Sequence, residues 1–337
     1  MPTNFCNLSH FGGRLDTWRR FLVASGVILL FVGLVRLHPR KPDTVSVENA
    51  PIISFENEEI AIVTAFSMRF ALWSINMFRS LMYYKYKGPI VIYFMIDPLR
   101  ERDQWDEYNK MMEDLQRDLA QTELTFFLRP YNATESYRTY CFKGRIVNQV
   151  IQEFGQPQTL MWADTSIRYH DDPAVWARRL IEDKMAAVAH TGALGMGENT
   201  HPDMWAYFGL NVSEFAQFRE LESGYFILNF ATAANVREEI LDPWMTCAGD
   251  DCLTCMCPPN STKGIPPGVH WKGPPSTEYI AHRQDQSAFG VLVYDYLLRN
   301  EGKVSINLPY YMNVTVQRRE IWANSTADIL SEEEMGF

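Results

Sequence analysis

Unbroken apolar runs that alternate with helix-spaced apolar residues constrain this chain more than anything else in it. The run IAIVTAF (60–66) is followed by Met68, Leu72, Ile75, Phe78 and Met82. PIVIYFMIDP (89–98) is followed by Trp105, Tyr108, Met112, Leu115 and Leu119. LTFFLRP (124–130) predicts a third strand. A helix from near Phe142, with Ile146, Val147, Val150, Ile151 and Phe154 inward, then leads into LMWAD (160–164). A strand apolar at every position is buried on both faces, so the alternation predicts an α/β fold: a mostly parallel sheet with helices on both sides. The pattern loosens after Asp164. Asp172-Pro173 predicts an N-cap and first helical residue for a helix through Ile181; AAVAH (186–190) and GYFILNF (224–230) read as strands, and 286–299 as a final helix. At 337 residues and 47% hydrophobic content, the chain has enough apolar surface for a large core.

The N-terminal portion has a different composition. Residues 21–35, FLVASGVILLFVGLV, carry no charge, and Arg36 can snorkel to extend the span to Leu37. No small-x-small cleavage signal follows, so an uncleaved anchor is expected. The expected layout is a tail at 1–20, a transmembrane anchor at 21–37, a Pro-containing stem at 38–57 and a folded domain at 58–337. Flanking charge does not orient the anchor. The sequons at Asn132, Asn211, Asn260, Asn313 and Asn324, all beyond it, place the C-terminal domain on the lumenal side. Cysteine usage agrees with an oxidising compartment: Cys247, Cys252, Cys255 and Cys257 crowd together, with Cys141 distant. Disulfides are expected in preference to zinc, and the odd cysteine leaves room for a covalent homodimer.

Ligands of open α/β sheets gather beyond the carboxyl ends of the strands. Thr64, Ala65 and Phe66 stand at such an end, as do Asp97 and Asp164. An acid there suits a nucleotide diphosphate, directly or through a divalent cation. The structural alternative is plain: Asp-Pro is a turn signal, and an Asp after a strand often caps the next turn. The formal net charge of −10, with no long basic run, excludes a nucleic-acid surface.

The basic helix start (Lys143, Arg145), the buried strand, its acid and the SIR that follows resemble the nucleotide-sugar half of glycosyltransferases of the GT-A fold. ELESGYFILNF (220–230) resembles their acceptor-side strand, and RQDQSAF (283–289) their DQ-containing helix start. More closely, W-x-D-x-S-I-R (162–168), D-P-W-x-x-C-A (242–248) and H-R-x-D-Q-S-A (282–288) are similar to a nematode-expanded animal family of single-anchor proteins with a domain of unknown function. The resemblance covers roughly residues 58–310.

It implies a GT-A-like domain and a Golgi type II membrane protein that transfers a sugar, hexosyltransferase-like, from a nucleotide-sugar donor to a glycan or glycoprotein acceptor. Donor contacts are then expected from Thr64, Ala65, Phe66, Asp97, Lys143, Arg145, Asp164, Ser166 and Arg168. Acceptor contacts are expected from Glu222, Ser223, Gly224 and Gln286. Asp285 is expected as the acid or base, with Glu222 the other candidate. A divalent cation, Mn or Mg, would fall to Asp164 and His282, but the usual D-x-D is here Asp164-Thr165-Ser166, which argues against tight metal binding. Lys143, Arg145 and Arg168 are the cations available to replace it. His190 is expected to make a structural hydrogen bond. The competing reading is a non-catalytic lumenal module that binds glycans, and a third is a cell-surface adhesion protein.

Overall fold

The computed structural model describes residues 54–67, 70–96, 105–132, 140–215, 217–233, 235–249, 252–256, 261–263, 280–282, 284–300, 303–306 and 312–316. All belong to the unit Ile53–Phe337. The expected anchor and stem precede almost all of them. Among the described residues no helix is long and apolar enough to cross a membrane.

The expected alternation forms. Strand β1 (Ile60–Ser67) leads to helix α1 (Ala71–Tyr83), β2 (Pro89–Ile96) to α2 (Trp105–Ala120), and β3 (Thr125–Asn132) to α3 (Phe142–Phe154), which feeds β4 (Thr159–Ala163). A short β5 (Ile167–Tyr169) precedes α4 (Pro173–Glu182), whose N-cap is Asp172: its side chain accepts a hydrogen bond from the Ala174 amide at 3.0 Å. Then come β6 (Ala187–Gly195), β7 (Arg219–Asn229), α5 (Asp242–Ala248) and the one-turn α6 (Cys252–Cys255). The chain continues through β8 (Ser261–Lys263), β9 (Ile280–His282), α7 (Asp285–Arg299), β10 (Val304–Ile306) and β11 (Val314–Val316).

Seven strands form the central sheet in the order β10-β6-β7-β4-β1-β2-β3. Pairings within β1, β2, β3 and β4 are parallel, as is β10 with β6. Strand β7 runs antiparallel to both of its neighbours, β4 and β6. An all-apolar run reports burial on two faces and not direction, so GYFILNF did not announce this reversal. The reversal has a consequence for function. It brings the beginning of β7, Glu220 to Gly224, to the same edge where β1, β4 and β6 end.

Each face of the sheet carries its own core. One is built with α3, α5 and α7 through residues such as Ile146, Trp244 and Phe289. The other is built with α1, α2 and α4 through Phe78, Tyr108 and Trp176. On the first face, α3 lies close against α5, because a Cβ added at Gly144 would fall 2.4 Å from the Ala248 Cβ. Two disulfides secure this corner: Cys141–Cys252 ties the start of α3 to α6, and Cys247–Cys255 ties α5 to α6. The cysteine cluster is therefore a staple and not a zinc site; Cys257 lies outside the described residues.

Candidate active site

Lys143 occupies the second position of α3, and its spacing to Val147, Val150 and Phe154 puts it on the helix's apolar stripe. It is accordingly buried, at 4% exposure. Burial of an ammonium requires partners, and three other segments supply them. Its Nζ lies 3.3 Å from Asp164 Oδ1 and 3.1 Å from Asp285 Oδ2. It also donates to the Ser223 carbonyl at 3.0 Å. Ser223 Oγ donates in turn to Asp285 Oδ2 at 2.5 Å, and Trp162 Nε1 to Asp164 Oδ1 at 2.8 Å. Asp164 is fixed by its own amide, which donates to the Gly224 carbonyl at 2.7 Å. The end of β4, the beginning of β7 and the starts of α3 and α7 thus meet at one ammonium.

The balance of effects on Lys143 is clear in direction. Burial depresses its pKa, but the charges of Asp164 and then Asp285, with their hydrogen bonds, outweigh burial and leave it raised. The two acids have different surroundings: the Asp164 side chain is 35% exposed and that of Asp285 only 6%. Asp285, expected as the acid or base, sits in the interior, where Lys143 and Ser223 hold it; its geometry is that of a brace. Glu222 is part-exposed on β7.

The other sequence candidates separate into groups. Arg145 is held away from the acids, donating to the Ala248 and Gly249 carbonyls at 2.8 and 2.9 Å, where it caps the C-terminal end of α5. Phe66 and Ala65 belong to the two cores, Phe66 lying 5.3 Å from Phe94 between ring centroids. Ser166 and Gln286 are buried, and Thr64 Oγ1 is buried with no hydrogen-bond partner among the described residues. Asp97 and the side chain of His282 lie outside the described residues, as do Asn260 and Asn324. His190 packs against Tyr225 with ring centroids 5.0 Å apart, and burial holds its pKa below the usual histidine value.

Arg168 differs from all of these. It is 5% exposed, and only one of its terminal nitrogens is engaged: Nη1 donates to the carbonyls of Ile167 at 2.8 Å, Thr165 at 3.3 Å and Trp73 at 3.4 Å. Nε and Nη2 are buried with no partner, and no carboxylate lies within ion-pair distance among the described residues. Burial alone pushes its pKa down to about 10. The sequence did not distinguish this arginine from Arg145, because a counter-ion is set by tertiary contacts.

Among the described residues, a divalent cation fits this edge poorly. Both oxygens of Asp164 face the Lys143 ammonium, at 3.3 and 3.4 Å, and one also accepts from Trp162. The second carboxylate of a D-x-D is replaced by Ser166. No group of three metal-ligating side chains occurs among the described residues.

No protein-family model matches the chain, and no curated protein does. Among solved structures it is similar to galactosyltransferase LgtC in complex with donor and acceptor sugar analogues, at 10% identity and a TM-score of 0.41, covering 74% of this chain and 73% of that one. It is also similar to mouse xyloside xylosyltransferase 1 in its apo form, at 10% identity and a TM-score of 0.37, covering 73% and 84%. A third is the glycosyltransferase GlyE of Streptococcus pneumoniae, at 11% identity and a TM-score of 0.34, covering 74% and 46%.

Proposed function

We propose that the chain is a glycosyltransferase of GT-A type that binds a nucleotide-sugar donor across the ends of β1 and β4 and a glycan or glycoprotein acceptor beside the beginning of β7. The observation that carries this reading is the buried Lys143–Asp164–Asp285–Ser223 network, gathered from four segments at the edge of a parallel sheet where α/β folds bind ligands. Asp164 opens to the outside and contacts the donor; Lys143 and Trp162 fix its orientation. Lys143 and Asp285 act through it as positioning residues.

In the transfer step, the acceptor hydroxyl oxygen bonds to the anomeric carbon while the bond from that carbon to the phosphate oxygen breaks. Glu222 takes the hydroxyl proton, and the nucleoside diphosphate leaves with the bonding pair. We further propose the type II arrangement, with an anchor at 21–37, a Golgi address and a lumenal catalytic domain. Asn132 at the end of β3, with Asn211 and Asn313, would then be available for glycosylation.

Asp164→Asn keeps side-chain volume and an oxygen for Trp162 while removing the charge. The variant is expected to fold and to lose sugar-nucleotide binding by calorimetry; unchanged binding counts against the reading. One observation favours a second reading, a glycan-binding module without turnover: Lys143 already satisfies both acids, as in a structural charge cluster. Donor hydrolysis and transfer across a panel of sugar nucleotides separates the two.

A further inference from the structure

The poor fit to a divalent cation and the unpaired Arg168 are independent observations, and they bear on the same question. The helix that follows β1 is relevant to both. Helix α1 is 13 residues long, is preceded at its N-cap by Phe70, which gives no side-chain cap, and has no acid in its first turn. Its N-cap residue therefore supplies no side-chain acceptor, and its own first turn places no negative charge against the positive end of the helix dipole. Arg168 reaches this turn directly, through its contact with the Trp73 carbonyl. It stands four residues after Asp164, beyond the turn in which the Ile167 amide donates to the Asp164 carbonyl at 3.0 Å.

We propose that the Arg168 guanidinium and the uncapped start of α1 form the binding site for the diphosphate of the donor, and that the chain binds this diphosphate without a divalent cation. This rests on the function proposed above. Nε and Nη2 of Arg168 are two adjacent donors on one edge of a planar fork, the arrangement that pairs with two oxygens of a phosphate. An anion placed there would supply a counter-charge that no described residue gives the buried guanidinium, while Lys143 compensates Asp164 and Asp285 on the other side of the sheet. The division of labour explains why one carboxylate of a D-x-D is dispensable in this sequence. A metal would be needed to bridge acid and phosphate only if the protein lacked a cation of its own at the phosphate.

Calorimetry and thermal unfolding of the full chain with inorganic pyrophosphate, UDP, uridine and mannose 6-phosphate test this. Pyrophosphate and UDP are expected to bind and to raise the Tm, uridine to bind weakly or not at all, and EDTA to change the affinities by less than about twofold. Arg168→Met is expected to weaken pyrophosphate by about tenfold or more. Its ligand-free Tm should change little, because loss of the Nη1 hydrogen bonds to three carbonyls is offset by removal of a buried charge without a counter-ion. Loss of wild-type binding in EDTA, or full binding by Arg168→Met, overturns the proposal. So does a lowered ligand-free Tm in that variant, which would mark the guanidinium as structural. Mannose 6-phosphate binding as tightly as UDP overturns the assignment to a donor diphosphate. If pyrophosphate binds through Arg168 while Asp164→Asn leaves sugar-nucleotide binding intact, the anion site stands and the proposed function falls.

Discussion

Two buried cations stand near one edge of the same sheet, Lys143 against the α3 side and Arg168 against the α1 side, and they are compensated in opposite ways. Lys143 has two carboxylates within 3.3 Å, and Arg168 has three backbone carbonyls and no acid among the described residues. A buried charge that its own fold neutralises is part of the architecture, and its removal leaves its partners stranded. A buried charge that the fold leaves unneutralised raises the free energy of the empty protein, and a ligand of opposite sign lowers it.

The sharpest way to break this contrast is at Lys143. Lys143→Met leaves the buried Asp285 beside Asp164 with no cation between them and is expected to cost about 3–5 kcal/mol by denaturant unfolding. A loss below about 1 kcal/mol would show that the network is not a structural charge cluster. The pH dependence gives a second check. The folded-state pKa of Lys143 is raised, so its contribution is fully present below the ordinary lysine value and is lost as pH rises through the raised one. The gap between wild type and Lys143→Met should therefore close only in strongly alkaline solution.

A smaller effect is expected at the staple. Cys141 sits immediately before α3 and closes a 111-residue separation to Cys252. Replacing both by serine is expected to cost about 2–4 kcal/mol. Hydrogen exchange should speed up at the start of α3 and not around β5; a uniform change would mean that the staple does not act locally on Lys143. The smallest effect is expected at Trp162→Phe. It keeps the ring in the core but removes the bond to Asp164, costing about 1–2 kcal/mol by the same unfolding assay. Donor affinity should fall as the Asp164 carboxylate loses one of its two side-chain restraints, and an unchanged affinity would assign its orientation to Lys143 alone.

Much of the fold was legible because burial leaves a periodic trace. The runs at 60–66 and 89–98 correspond to β1 and β2, the latter described as Pro89–Ile96, and Asp172 capped α4 as read. Strand direction leaves no such trace, which is why the reversal of β7 emerged only from its pairing. Within the site, Asp164 was visible as the acid ending a buried strand. The burial of Lys143 was also readable, since its spacing to Val147, Val150 and Phe154 is that of the apolar stripe, although a basic helix start suggested a solvated face. The partners of Lys143 come from Ser223 and Asp285, 80 and more residues away, and no local pattern encodes them. The same holds for Arg145 and Arg168, two arginines alike in sequence and unlike in company.

The disulfide beside α3 has a practical consequence for anyone producing this protein. A chain made in a reducing host can still assemble the sheet, but the helix that carries Lys143 would then be held at its start by packing and by Arg145 alone. Preparations from such a host should look folded by circular dichroism and yet differ from batch to batch in ligand response, tracking the fraction of Cys141 that has found Cys252.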